Sequence, residues 1–127
     1  MLPTIQDGSI IFVQCSFYHL SHGDVVVCKP ENYGRRIVKR VIGMPGDVVD
    51  INFNTGDISI NGTILHEPYI REMTHKDLGS QFPMTIEAGR LFLLGDNRNE
   101  SLDSRSPIIG QVRTEDVIGK YLLTLKN

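Results

Sequence analysis

The sequence predicts an all-β domain, a small and mostly antiparallel β-barrel or sandwich with one short helical turn. Three observations carry that expectation. Apolar residues come in short runs or alternate with polar ones and rarely follow helical spacing. Gly, Asn, Asp and Pro punctuate the chain at strand-length intervals. Between two alternating runs, Asp57 to Ile60 and Thr63 to His66, stands Asn61-Gly62, a pair that tolerates the positive φ angles of a two-residue hairpin turn.

Taken in order, the strands are expected at Ser9 to Gln14, Asp24 to Lys29, Arg36 to Ile42, Val48 to Asn52, Asp57 to Ile60, Thr63 to His66, Arg90 to Leu94 and Lys120 to Leu125. Asn54-Thr-Gly56 reads as the turn that joins the hairpin to the strand before it, making a meander. Thr114 to Gly119 has a capping residue, acidic first-turn residues and a terminal glycine, and is expected to form the helical turn. Residues 72 to 89 mix polar residues with Gly and Pro without periodicity, and read as a long excursion or flap.

The chain has 127 residues and a mass of 14.3 kDa, enough for a single domain, 1–127, with one modest core. With 40% apolar and 22% charged residues it falls outside the disordered and fibrous classes. Thirteen basic against fifteen acidic residues leave a net charge of −2, so nothing marks a nucleic-acid surface. Cys15 and Cys28 are too few for a disulfide framework and lack a CxxC spacing, and read as small semi-buried thiols. The longest apolar runs, such as Leu91 to Leu94, fall far short of the roughly 20 residues that span a bilayer. His19, His22, His66 and His75 show no ligand spacing and read as surface or loop residues.

Four segments concentrate turn residues and charge: Met1 to Ile5, Gly23 to Pro30, Val38 to Asp47 and Gly95 to Arg105. The third sets Lys39 inside an apolar strand. Side chains alternate there, so Lys39 shares a face with Ile37 and Val41 while Arg40 lies opposite with Val38 and Ile42; one cation faces inward unless both faces are exposed. Apolar surroundings disfavour the ammonium form, and a drop of about three pKa units costs roughly 4 kcal/mol, a cost suited to a site that needs a neutral amine. The alternative is a strand lysine whose stem packs on its neighbours while the ammonium reaches water. In the fourth segment Asp96 with Arg98, and Asp103 with Arg105, could pin an irregular loop as carboxylate–guanidinium pairs, or form a solvated charged turn. Ser101 and Ser104 supply hydroxyls that a rigid loop could aim at a neighbour.

In this order the four segments resemble the bacterial type I signal peptidases, serine peptidases with a Ser/Lys dyad. The family pattern runs Ser-Met-x-Pro-Thr-Leu, Gly-Asp-x-Val-Val-x-Lys, Val-Lys-Arg-Val-Ile-Gly-x-Pro-Gly-Asp and Gly-Asp-Asn-Arg-x-x-Ser-x-Asp-Ser-Arg, matched here at Met1 to Ile5, Gly23 to Lys29, Val38 to Asp47 and Gly95 to Arg105. The stretch Ile58 to Ile70, with Glu67-Pro-Tyr-Ile70, is similar to the family's connecting segment. The resemblance implies Lys39 as general base and Ser101 as the hydroxyl that orients its amine. It implies a charged scaffold of Asp96, Arg98, Asp103 and Arg105, and shallow substrate pockets lined by Met1, Ile5, Ile37 and Val38.

In the family the nucleophilic serine immediately precedes this methionine, so the resemblance places the nucleophile, and a membrane anchor further upstream, outside the chain as given. Ser9, Ile37 and Ser106-Pro107 depart from common family residues and bear on pocket shape more than on mechanism. The implied activity is removal of signal peptides from secreted preproteins after a small-x-small motif, without metal or cofactor, on the extracytoplasmic face of the cell membrane; oligomeric state is not implied. Two other readings stay open: a non-catalytic homologue that binds extended peptides, and a self-cleaving regulator of the SOS-repressor type. The second usually carries its scissile bond, Ala-Gly or Cys-Gly, in its own chain; Cys-Gly does not occur here, and Ala88-Gly89 is the single Ala-Gly pair.

Overall fold

The computed structural model describes residues 1–125 as ten strands in two antiparallel sheets. They are β1 (Ile10–Gln14), β2 (Val25–Cys28), β3 (Ile37–Gly43), β4 (Val48–Asn52), β5 (Asp57–Ile60), β6 (Thr63–Ile64), β7 (Met84–Thr85), β8 (Arg90–Leu94), β9 (Val112–Arg113) and β10 (Val117–Leu125). The larger sheet runs β1-β10-β2-β3-β8-β9 and the smaller β6-β5-β4-β7, and among the described residues they form no closed barrel.

Alternation explains the smaller sheet. In β4, Val49 and Ile51 are buried while Val48, Asp50 and Asn52 are exposed; in β5, Ile58 and Ile60 are buried. The β5–β6 turn has Asn61 at φ 52° and Gly62 at φ 85°, as the Asn-Gly pair predicts. At the β4–β5 turn the Asn52 side chain accepts the N–H groups of Asn54 and Thr55, and Gly56 takes φ 83°.

β8 has no alternation because it is buried on both faces. Phe92 and Leu94 enter one core with Ile42, Val49, Ile51, Ile58, Ile60 and Ile86, whereas Leu91 and Leu93 enter a second with Val26, Cys28, Val41, Ile109 and Val112. All four β8 residues from Leu91 to Leu94 are fully buried. β3 divides its side chains in the same way, Val41 to the second core and Ile42 to the first. The two strands that carry or adjoin the charged segments are therefore held from both sides.

Several expectations are corrected. The helical turn is a single 3-10 turn, Thr114–Asp116, and Gly119 lies within β10 rather than ending a helix. A Cβ on Gly119 would meet Val13 Cγ1 at 2.4 Å and the Gln14 carbonyl oxygen at 2.7 Å, so this glycine permits close β1–β10 approach. β6 ends at Ile64 instead of His66. Residues 72–89 are not a free flap: Phe82, Met84 and Ile86 pack on the first core, and Ser80 N–H donates to Arg105 O at 2.9 Å. β7, β9 and the 3-10 turn Arg98–Glu100 are too short to leave a periodic signature. Cys28 is buried and Cys15 exposed, both as free thiols, in place of two semi-buried ones.

Candidate active site

The middle of β3 presents Lys39 and Arg40 to opposite faces, opposite Val26 and Leu94 respectively. Both faces of β3 are covered: Lys39 is half-buried on the face that carries Ile37 and Val41, and the Arg40 side chain on the other face is only 11% exposed. Lys39 Nζ donates to Ser101 Oγ at 2.9 Å. Burial pushes the Lys39 amine below its ordinary value; nearby Asp103 opposes the shift and Arg105 reinforces it. Met1 lines the same groove as Lys39, which puts the start of the first segment beside the amine.

Room for this pair comes from Gly95. A Cβ there would lie 2.1 Å from Ser101 Oγ and 3.3 Å from Lys39 Nζ. The Gly95 backbone is held at both ends, its N–H donating to Asp103 Oδ2 at 3.1 Å and its carbonyl accepting Arg98 Nε at 2.7 Å.

Three carboxylate–guanidinium pairs, one fully and two partly buried, frame the site, and two of them differ from the expected pairing. Asp96 does not pair with Arg98; it takes Arg40, with Nε to Oδ1 at 2.9 Å and Nη2 to Oδ2 at 2.7 Å. Arg98 takes Glu67 instead, through Nη1 to Oε1 at 3.1 Å and Nη2 to Oε2 at 2.6 Å. Neighbours two apart on an irregular turn diverge, so each reaches across to another element. Asp103 and Arg105 do pair, with Nε to Oδ1 and Nη2 to Oδ2 both at 2.8 Å. Arg98, Arg105, Asp96 and Asp103 are all fully buried, and among the described residues every buried side-chain nitrogen or oxygen has a partner.

Asp96 also accepts from Thr4 Oγ1, and its N–H approaches Met1 Sδ at 3.4 Å, so the first segment is fastened to the loop. Ser104 faces inward, its hydroxyl accepting the Leu93 N–H at 2.9 Å, and has a structural part distinct from that of Ser101. All four histidines are exposed; His22 contacts Asp47 at 2.6 Å and His75 contacts the Phe53 carbonyl at 3.0 Å.

An open groove of about 440 Å³ runs over Lys39 and Ser101. Met1, Ile5, Ile37 and Val38 all line it. Sequence reasoning missed Leu2, Ile11, Asn97 and Glu100, which share the lining. Ile11 was within reach, because strand alternation sets it opposite Ile10 and Phe12, both of which are exposed. Glu67, Tyr69 and Arg40 as partners of the charged loop had no local signal, since each acts across a long sequence separation.

Two antiparallel sheets with a hydrogen-bonded lysine on the floor of a partly apolar groove define the class, an all-β domain with a lysine-centred cleft. A family model described as signal peptidase, peptidase S26, matches residues 1–125. Signal peptidase I U of Bacillus subtilis (strain 168) is 34% identical over 94% of this chain and 67% of its own length. Signal peptidase I of Bacillus licheniformis is 34% identical over 84% of this chain and 61% of its own. In structure, a signal peptidase I from Enterococcus faecalis V583 superposes with a TM-score of 0.68 at 29% identity, covering 85% of this chain and all of that one. The chain belongs to the signal peptidase family, peptidase S26. It spans between 61% and 67% of the length of these curated relatives, and among the described residues no helix is long and apolar enough to cross a membrane.

Proposed function

We propose that this chain is the catalytic domain of a signal peptidase I, an endopeptidase that removes signal peptides from secreted preproteins after a small-x-small motif. The observation that carries the reading is the Lys39 amine. It is disfavoured as an ammonium ion by burial, donates to Ser101 at 2.9 Å, and lies beside the start of the chain in an open groove. In the full-length protein the residue joined to the Met1 nitrogen is a serine, and its hydroxyl is the nucleophile.

Lys39 acts as a neutral amine. Its hydrogen bond to Ser101 restricts rotation of the amine and leaves the lone pair free to accept the serine proton. The alkoxide attacks the scissile carbonyl, and Lys39 returns the proton to the departing amine. Water then attacks the acyl-enzyme with Lys39 again accepting a proton, releasing the second product and regenerating the serine. The charged scaffold keeps the amine and the 101 hydroxyl fixed throughout.

Substrate choice follows from strand geometry. An extended peptide lying in the groove points alternate residues the same way, so its −1 and −3 side chains fall on one side. Met1, Ile5, Ile37 and Val38 offer a shallow apolar surface that suits alanine and rejects charge. The partners are preprotein signal peptides, and the working place is the extracytoplasmic face of the cell membrane, reached through an anchor outside this chain.

The test uses the full-length protein and a peptide whose cleavage site ends Ala-x-Ala. Cleavage after the second alanine, lost in Lys39→Ala, is expected. Undiminished turnover by Lys39→Ala refutes the assignment of the base.

A further inference from the structure

Arg40 and Arg98 both adjoin the site, one next to Lys39 on β3 and the other opening the turn that leads to Ser101. Both guanidinium groups converge on Tyr69, which belongs to neither segment and follows the β5–β6 hairpin of the other sheet. Arg40 Cζ stands 3.9 Å from the centre of the Tyr69 ring and Arg98 Cζ 6.0 Å. The Tyr69 hydroxyl donates to Glu67 Oε2 at 2.9 Å, the same oxygen that accepts Arg98 Nη2 at 2.6 Å. Two cations thus gather around one aromatic ring, and a carboxylate two residues before it holds one of them.

We infer that Tyr69 and Glu67 are positioning residues for the Lys39–Ser101 pair, a bracket from the smaller sheet that fixes the distance between the strand bearing the lysine and the turn bearing the serine. The inference rests on the peptidase reading above and deepens it.

The chain of contacts is continuous. Tyr69 stacks on Arg40, whose bidentate hold on Asp96 sets the start of the charged loop. Glu67 holds Arg98, which grips the Gly95 carbonyl at 2.7 Å, and Gly95 is the residue packed against Ser101 Oγ and Lys39 Nζ. A shift of Arg98 therefore moves Gly95, and with it the space the amine and hydroxyl share. The stack is also a match of charge to quadrupole: Arg40 has its donors committed in its own plane to Asp96 and Gly23 O, leaving its face for the ring. The hydroxyl bond to Glu67 is secondary to the stack, because Arg98 already holds that carboxylate through both of its oxygens. Tyr69 itself is only half-buried, which leaves it open to substitution.

The experiment measures kcat and KM for the Ala-x-Ala peptide with the full-length protein carrying Tyr69→Phe, Tyr69→Leu, Arg40→Lys, or Tyr69→Leu with Arg40→Lys. Tyr69→Leu is expected to lower kcat about tenfold with KM unchanged, while Tyr69→Phe, which keeps the ring, stays within about threefold of the parent. In the Arg40→Lys background, Tyr69→Leu is expected to cost less than about twofold more, because the planar stack is already lost. Tyr69→Met takes the place of the leucine variant should that one not fold, with the same expected loss. Unchanged kcat in Tyr69→Leu, a rise in KM alone, an equal loss in Tyr69→Phe, or losses that multiply in the double variant would each overturn the positioning role. A parent that leaves the peptide intact instead refutes the peptidase reading, and the inference falls with it.

Discussion

Replacing Gly95 with alanine sets a methyl carbon almost on top of the hydroxyl that steadies Lys39. The added carbon lies 2.1 Å from Ser101 Oγ and 2.7 Å from Ser101 Cβ, whereas carbon atoms not bonded to one another sit about 3.5–4.0 Å apart. Rotating the serine relieves the first clash but not the second, so the loop backbone must retreat by roughly 1 Å. The Lys39–Ser101 bond is 2.9 Å long, and a displacement of that size carries it past the roughly 3.5 Å at which a hydrogen bond ceases to count. Gly95 cannot itself step back, because Asp103 and Arg98 hold its N–H and carbonyl. Overpacking of this kind costs about 1–3 kcal/mol of stability, and a misplacement near 1 Å at a reacting group costs about a hundredfold in rate.

The assay is steady-state cleavage by the full-length protein, well below its melting temperature, with Gly62→Ala as the control. A Cβ on Gly62 meets nothing within 4 Å, yet its φ of 85° makes the substitution cost about 1–2 kcal/mol. Both variants are thus expected to lose similar stability, while Gly95→Ala alone loses about a hundredfold in kcat. A Gly95→Ala protein that keeps kcat within about threefold of the parent would refute the claim that this glycine makes room for the pair.

Other outcomes follow from the same structure. Because burial lowers the Lys39 pKa below its unfolded value of 10.5, the unfolded chain holds more protons between the lowered value and 10.5, and stability rises with pH across that window. Lys39→Met is therefore expected to gain most over the parent below the lowered pKa, with the gain shrinking towards pH 10.5; denaturant midpoints that show a gain growing with pH contradict burial as the cause. Glu67→Ala leaves the fully buried Arg98 without its counter-ion and is expected to cost about 3–5 kcal/mol in chemical denaturation, whereas Glu115→Ala, which breaks an exposed contact with Arg113, is close to neutral. Gly119→Ala drives a methyl into Val13 and the Gln14 carbonyl, and a melting curve is expected to report about 1–3 kcal/mol lost; an unchanged curve contradicts the close β1–β10 approach.

Wherever one face of a strand meets water, the strand was legible. Alternation marks β4 and β5, and Asn61-Gly62 marks their hairpin, because local backbone preference and burial agree there. The single helical turn was overextended because Gly119 looked like a terminator when its absent side chain serves strand packing. Residues 72–89 read as a flap because Phe82, Met84 and Ile86 are anchored by a core built from distant strands, which no local pattern displays. The same holds for the charged loop. Asp103 and Arg105 could be paired from spacing, but the partners of Asp96 and Arg98 lie 56 and 31 residues away.

Sequence alone determined the all-β class, the order of the charged segments, the family and the candidacy of Lys39 and Ser101, because those depend on short-range periodicity and on residues written side by side. Tertiary structure decided that Lys39 meets Ser101 on one face of β3 while Arg40 takes the buried Asp96 on the other, that Gly95 opens the space the pair occupies, and that Glu67 and Tyr69 gather two arginines, one from β3 and one from the 3-10 turn Arg98–Glu100. Those facts come from desolvation and from contacts such as Arg98 with Glu67 and Lys39 with Ser101, 31 and 62 residues apart, and both arise only when two cores close on either side of β3 and β8.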